Sequence, residues 1–174
     1  MSCKQILIFI IMISIIPTSA SSKIDRSSDW VVTEMANFRL ISGISNVGDS
    51  YKVPLGLEFE LKDDWKIYWR NPGDAGYPPE IDFVNNENLS ELKLFWPAPK
   101  RFVFEDMQNF GYEKKIIFPI TAILKVPGKP VVLQANITAL ACKNICVPLD
   151  GNIGLTIPAG KPEKTNHATS IHAF

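Results

Sequence analysis

Cysteine is scarce in this chain, three among 174 residues, and Cys3 falls inside the N-terminal twenty residues read below as a leader, which leaves Cys142 and Cys146 for the body of the protein. Net charge is missing too. Eighteen Lys and Arg balance eighteen Asp and Glu, and removing Lys4 with the leader shifts that balance by one charge, so nothing points to a nucleic-acid or membrane-surface partner. Histidine is confined to His167 and His172 in a polar tail, which leaves no credible Ser/His/Asp arrangement. No long segment carries a convincing 3.6-residue apolar period. Gly73 and Gly76 lack the strand and helix that a phosphate-cradling loop requires, and no cofactor is expected. The glycosylation sequons at Asn88-Leu89-Ser90 and Asn136-Ile137-Thr138 count only in a eukaryotic host and are discounted.

The chain opens with Lys4, an almost unbroken apolar stretch from Ile6 to Ile16, and the small residues Thr18-Ser19-Ala20. This is the order of a secretory leader: charged start, short hydrophobic run, cleavage site. The run is too short to span a bilayer comfortably, which takes about 20 residues. Residues 1–20 are therefore expected to be a cleaved signal peptide with the cut near Ala20, an uncleaved anchor being the alternative. No cysteine sits at the cut, which argues against a lipoprotein. The remainder suits one domain. With 46% hydrophobic residues in the sequence it has ample material for a core, so the cysteine pair is not needed to rescue a miniature fold.

Short alternating segments separated by Pro, Gly, Asn and Asp dominate the body. Leu55, Leu57, Phe59 and Leu61 occupy every second position of Val53 to Leu61, and Leu92, Leu94 and Trp96 repeat the pattern. Trp65 to Trp69, Ile116 to Leu124, Val131 to Ala141 and Ile153 to Ile157 are further strand candidates, with Phe38 to Ser42 a weaker one. Thirteen prolines would break helices but sit readily in turns and at strand ends. The expected fold is an all-β, immunoglobulin-like antiparallel β-sandwich over residues 21–160. Two stretches resist the pattern. Asn71 to Pro79 is dense in turn residues and reads as a structured loop, and Trp96 to Phe102 reads as an extended Pro-rich exit from a strand; each is either loop rigidity with aromatic packing or a binding surface. Residues 161–174 are expected to be disordered, or the stub of a linker.

Cys142 and Cys146 are separated by three residues in Ala141-Cys142-Lys143-Asn144-Ile145-Cys146-Val147-Pro148. Extended backbone would separate them by roughly 13 Å, beyond the roughly 7 Å that a disulfide bridges. The chain must turn between them. Either Lys143, Asn144 and Ile145 form a tight loop with the cysteines opposite each other on adjacent strands, or the segment makes one helical turn. A disulfide closing so small a loop is a poor staple and a better switch, because the stabilisation from a cross-link shrinks with the loop. Redox function leads on that spacing, ahead of a structural disulfide in an immunoglobulin-like binding module and of Cu(I) ligation, for which no His or Met lies nearby to complete a site. Lys143 either favours a thiolate or is a solvated loop lysine.

Taken together, Trp65-Lys66-Ile67-Tyr68-Trp69-Arg70-Asn71-Pro72-Gly73-Asp74-Ala75-Gly76, Pro78-Pro79, Trp96-Pro97-Ala98-Pro99, Gly111-Tyr112 and Cys142 to Pro148 resemble the N-terminal periplasmic domain of the DsbD/ScsB thiol:disulfide interchange proteins. The match leans to the ScsB-like, suppressor of copper sensitivity, branch. It covers nearly the whole mature chain in order, and its specificity lies in the joint appearance of the segments. The resemblance implies an immunoglobulin-like sandwich in the periplasm whose redox pair, Cys142 and Cys146, takes electrons from a thioredoxin-like or membrane-embedded donor and passes them to oxidised periplasmic proteins. It also implies Cys146 as the sulfur presented to partners. Arg70, Asn71, Asp74 and Tyr112 fall in matching motifs. Family members usually continue into a multi-helix membrane domain and a C-terminal thioredoxin domain, which this sequence does not contain; a separate donor, or a truncated relic, is the expectation.

Overall fold

The structure is a computed structural model that describes residues 24–104 and 106–173. The expected leader, residues 1–20, lies outside the described residues. Eleven strands and one short helix follow in chain order among those described: β1 Val31–Val32, β2 Ala36–Ser42, β3 Lys52–Leu61, β4 Lys66–Gly73, β5 Glu80–Phe83, β6 Leu89–Leu94, β7 Lys100–Phe104, β8 Met107–Glu113, β9 Lys115–Leu124, β10 Val131–Cys142, β11 Cys146–Ile157 and α1 Ala168–Ile171. They form two antiparallel sheets, β1-β2-β3-β9-β6 and β11-β10-β4-β8-β7, with β5 pairing the middle of β10. The all-β, immunoglobulin-like sandwich read from the sequence is the fold observed.

The twofold apolar alternation is what buries the core. Leu55, Leu57, Phe59 and Leu61 all point inward from β3, opposite Ile116, Phe118 and Ile120 of β9 and against Val131, Leu133, Ala135 and Ile137 of β10. Phe118 is the centre of an aromatic cluster: Phe59, Trp96 and Tyr112 all meet its ring edge-on, at 5.9, 5.2 and 5.2 Å between centroids. Such edge-to-face pairs add about 0.5–1.5 kcal/mol each beyond the area they bury. Trp96 and Tyr112 thus tie the Pro-rich exit to the core, and the Tyr112 hydroxyl donates to the Pro97 carbonyl at 2.7 Å.

Four strands are absent from the sequence reading, and β8 shows why. Its buried positions include Asn109 and Gly111, which lie on the face under the covering loop rather than in the core, so no apolar alternation marks it. Strand β7 begins at Lys100, within the segment read as an extended exit, and returns into β8 through Asp106, which has a positive φ of 68°. β1 and β5 are too short to carry a pattern.

The C-terminal segment departs from expectation. The sequence predicts disorder from Lys161; the structure packs this stretch against the outer face of the β2–β3–β9 sheet. Lys164 bridges to Ile44, the Thr165 hydroxyl donates to the Ser42 carbonyl, and the single-turn α1 places Ile171, only 4% exposed, against Ile41 and Ile117. The reason is that Ile41 and Ile117 point outward from their strands and need a cover, which one isoleucine in a polar segment supplies. His167 of the same segment is buried and pairs through Nε2 with Asp25 Oδ1 at 2.8 Å. On the same face Glu58, 2% exposed, is held by Arg39 at 2.8 Å and Lys115 at 2.5 Å. Burial raises the Glu58 pKa, but the hydrogen bonds from Lys115 and Arg39 outweigh it and hold the carboxyl below its usual range.

If Ile171 is the anchor, Ile171→Ala should cost about 2 kcal/mol in urea unfolding, the lower end for deleting a buried isoleucine side chain. An unchanged midpoint would mean that the segment contributes no packing.

Candidate functional site

Strands β10 and β11 form a hairpin with twelve consecutive residue pairs, from Val131↔Ile157 to Cys142↔Cys146, and no break in register. Of the two geometries open to the sequence, the tight loop is the one formed. Lys143, Asn144 and Ile145 make the tip, and the Lys143 N–H donates to the Ile145 carbonyl at 3.0 Å. The cysteines close it, with Cα atoms 4.1 Å apart and sulfurs bonded at 2.01 Å.

The two sulfurs have different surroundings. Cys142 lies between two strands, paired with Cys146 on one side and with Lys66 of β4 on the other, and is only 8% exposed. Cys146 starts the edge strand β11 and is exposed, next to Ile145, which is 69% exposed. One half of the pair is part of the sheet and the other is offered to solvent. That asymmetry is what a thiol-exchange couple needs, because a partner can reach only one sulfur while the other waits within bonding distance.

Tyr68 is the residue that approaches the disulfide, its hydroxyl 3.8 Å from Cys146 Sγ. A disulfide sulfur carries no hydrogen, so the tyrosine O–H is the donor. Burial pushes the Tyr68 hydroxyl above its ordinary pKa, which keeps that proton in place at neutral pH. Once the disulfide opens, the same O–H can donate to a Cys146 thiolate, and a hydrogen bond to the charged form lowers a thiol pKa.

The loop after β4 exists to cover this tyrosine. Its ring is flanked by Phe102 of β7 at 5.9 Å, and Gly76 lies directly on the ring: a Cβ there would sit 2.3 Å from Tyr68 Cζ. Gly76 also has a φ of +98°, so glycine is required on both counts. Asp74 holds the loop down, its Oδ2 accepting the Gln108 N–H at 2.7 Å, and buried Asn109 accepts the Ala75 N–H through Oδ1 at 3.1 Å.

Several residues singled out from the sequence therefore have other places. Asp74 and Tyr112 hydrogen bond to Gln108 and Pro97, and the Arg70 guanidinium lies 5.1 Å from the Trp69 ring centroid. Asn71 is exposed. Lys143 is an ion-paired lysine: its ammonium lies 3.0 Å from Asp64 Oδ2 and donates to the Asp63 carbonyl at 3.3 Å. The Lys143 hydrogen bond holds the Asp64 carboxyl below the usual range. The pairing docks the hairpin tip on the β3–β4 turn. Tyr68 was visible in the sequence only as one member of an aromatic run. Burial of both Ile67 and its neighbour Tyr68, which a half-buried strand would not show, is the structural signal that it has a separate role.

The geometry belongs with a family. The N-terminal family of thiol:disulfide interchange protein DsbD matches residues 39–158. This chain is a member of the DsbD N-terminal family. Both cysteines, Tyr68 and the covering loop lie inside the matched residues, whereas β1 and the docked C-terminal segment lie outside them. The DsbD-type sandwich is also similar to the N-terminal periplasmic domain of ScsB from Proteus mirabilis, at 25% identity and a TM-score of 0.67, covering 86% of this chain and 59% of that one. The chain thus spans about three-fifths of the ScsB chain's length. The N-terminal domain of DsbD from Neisseria meningitidis in its reduced form aligns at 14% identity and a TM-score of 0.39, over 74% of this chain and 90% of that one. Comparison with curated proteins gives no match. That family describes the N-terminal part of a protein named for thiol:disulfide interchange.

After reduction, substoichiometric iodoacetamide should modify Cys146 well ahead of Cys142, and Tyr68→Phe should raise the pH midpoint of the Cys146 reaction by about one unit, the scale of one hydrogen bond to a thiolate. Equal labelling of the two thiols, or an unmoved midpoint, would contradict the assigned roles.

Proposed function

We propose that this domain carries reducing equivalents in the periplasm of a Gram-negative bacterium, with Cys142 and Cys146 as its catalytic pair. The observation that carries the reading is a disulfide at the tip of an unbroken hairpin, one sulfur exposed and the other held in the sheet. The periplasmic setting rests on family membership, on the likeness to the ScsB domain and on the expected signal peptide.

The cycle balances without a cofactor. A thioredoxin-like or membrane-embedded dithiol donor reduces the Cys142–Cys146 bond, and two electrons and two protons pass to the domain. The Cys146 thiolate, stabilised by the Tyr68 hydroxyl, then attacks a disulfide of an oxidised periplasmic protein; a Cys146–partner bond forms and the partner's second sulfur leaves as a thiolate that takes up a proton. Cys142, deprotonated in turn, attacks Cys146 Sγ, which restores the internal disulfide and releases the partner as a dithiol. Cys142 starts 4.1 Å from Cys146 between Cα atoms, so this second step needs no rearrangement of the chain. A role under copper stress is part of the proposal only through similarity to ScsB.

The energetics fit a switch. A loop of this size gives the cross-link about 2 kcal/mol in the chain-entropy account, small beside the packing of a two-sheet core. Titration against glutathione and thioredoxin buffers should place the couple well above about −300 mV, the region of structural disulfides, and Cys142→Ala should accumulate a mixed disulfide through Cys146. A bond that resists these dithiols would instead identify a structural staple in a binding module, and Cu(I) held tightly only by the reduced protein would identify a copper-handling one.

A further inference from the structure

Strand β11 is an edge, and the direction of its backbone groups can be worked out. In an antiparallel ladder, alternate residues point their N–H and C=O toward the neighbour and the rest point away. β10 spends its even-numbered residues on the side away from β11: Val132 exchanges both bonds with Glu87, the Gln134 carbonyl accepts from the Val84 N–H, and the Gln134 N–H donates to Asn86 Oδ1. With twelve pairs in unbroken register, Leu140↔Pro148 and Cys142↔Cys146 are pairs without mutual hydrogen bonds. Three observations agree. The 4.1 Å Cα separation of the cysteines is close to the 4.5 Å or so of such a pair. The Lys143 N–H bonds the Ile145 carbonyl one step earlier. Pro148, which has no N–H, sits where the ladder needs none.

It follows that the Cys146 N–H and C=O and the Pro148 C=O point out from the sheet. Among the described residues no backbone hydrogen bond reaches the outer edge between Cys146 and Ile157. Edges are usually blunted by proline and charge, and here Pro148 and Asp150 do so only beyond the first residues. The part left open is the part that carries the exposed sulfur.

We propose that Cys146 recognises its partners by strand addition: an extended, cysteine-bearing segment of the oxidised partner protein docks along the start of β11 and exchanges main-chain hydrogen bonds with Cys146 as the mixed disulfide forms. This deepens the redox reading and rests on it. Main-chain pairing does not depend on the partner's side chains, so the same edge can take partners of different sequence. A side-chain site adjoins the edge, a shallow cleft of about 220 Å³ lined by Tyr77, Pro78, Leu140 and Pro148 among others, with Tyr77 72% exposed. An apolar side chain two residues from the partner's cysteine would be on the face that meets this cleft.

The test uses the full chain with Cys142→Ser, reduced, and the peptide acetyl-Val-Thr-Val-Cys-Val-Thr-Val-amide carried as its mixed disulfide with glutathione. The Cys146 thiolate attacks the peptide sulfur, and glutathione leaves as a thiolate that takes up a proton; the equilibrium constant is read by mass spectrometry. N-methylation is then introduced either at the two threonines or at the two valines that flank the cysteine. Strand addition predicts that one of these sets lowers the constant about tenfold while the other leaves it unchanged, because alternate amides face the edge. Equal effects from both sets, or none from either, would overturn strand addition while leaving the redox reading intact. Failure of the unmethylated peptide to exchange at all would overturn both.

Discussion

The unbroken pairing of β10 with β11 is the constraint from which the rest of the site follows. It sets Cys142 opposite Cys146, and because β10 is also held by β4 and β5, the position of Cys142 is fixed from both sides before any sulfur chemistry begins. Cys146 has a neighbour on one side only. A couple made of one fixed and one accessible sulfur is therefore a consequence of strand order, and the β-sandwich behind it is the rigid body that keeps the two within reach when the bond is open.

The surroundings adjust the chemistry without changing that plan. Tyr68 brings a hydroxyl to Cys146, and its ring is roofed by Gly76 and flanked by Phe102. Lys143 is tied to Asp64, so the nearest cation in sequence fixes the tip of the hairpin, and the tyrosine is left as the group that can favour a thiolate. The turn-rich loop and the Pro-rich exit, each open to a structural or a binding reading from residue types, are both packed: one covers Tyr68, and the other places Trp96 and Pro97 against Phe118 and Tyr112.

How much of this the residues disclosed depends on where each side chain spends its energy. β3, β9 and β10 were legible because a sheet with one buried face must alternate, and Leu55, Leu57 and Phe59 do so without exception. The reach of a disulfide required a turn between Cys142 and Cys146 but left a tight loop and a helical turn both open; the unbroken pairing of β10 with β11 decides for the loop. β8 was hidden because buried Asn109 and Gly111 serve the loop and the neighbouring strand rather than the core. The docked C-terminal segment was hidden because its anchor is a single isoleucine whose partners, Ile41 and Ile117, are far away in sequence. Tyr68 looked like one more strand aromatic; only three-dimensional proximity to Cys146 distinguishes it.

The central claim is that the Cys142–Cys146 bond can open while the sandwich stays as it is. Amide spectra of the isotopically labelled protein in its disulfide and dithiol forms test this most directly. The account predicts shifts confined to the hairpin tip, Tyr68 and the Gly76 loop, with the resonances of β3, β9 and the inner part of β10 in place. Loss of dispersed core resonances on reduction would contradict it.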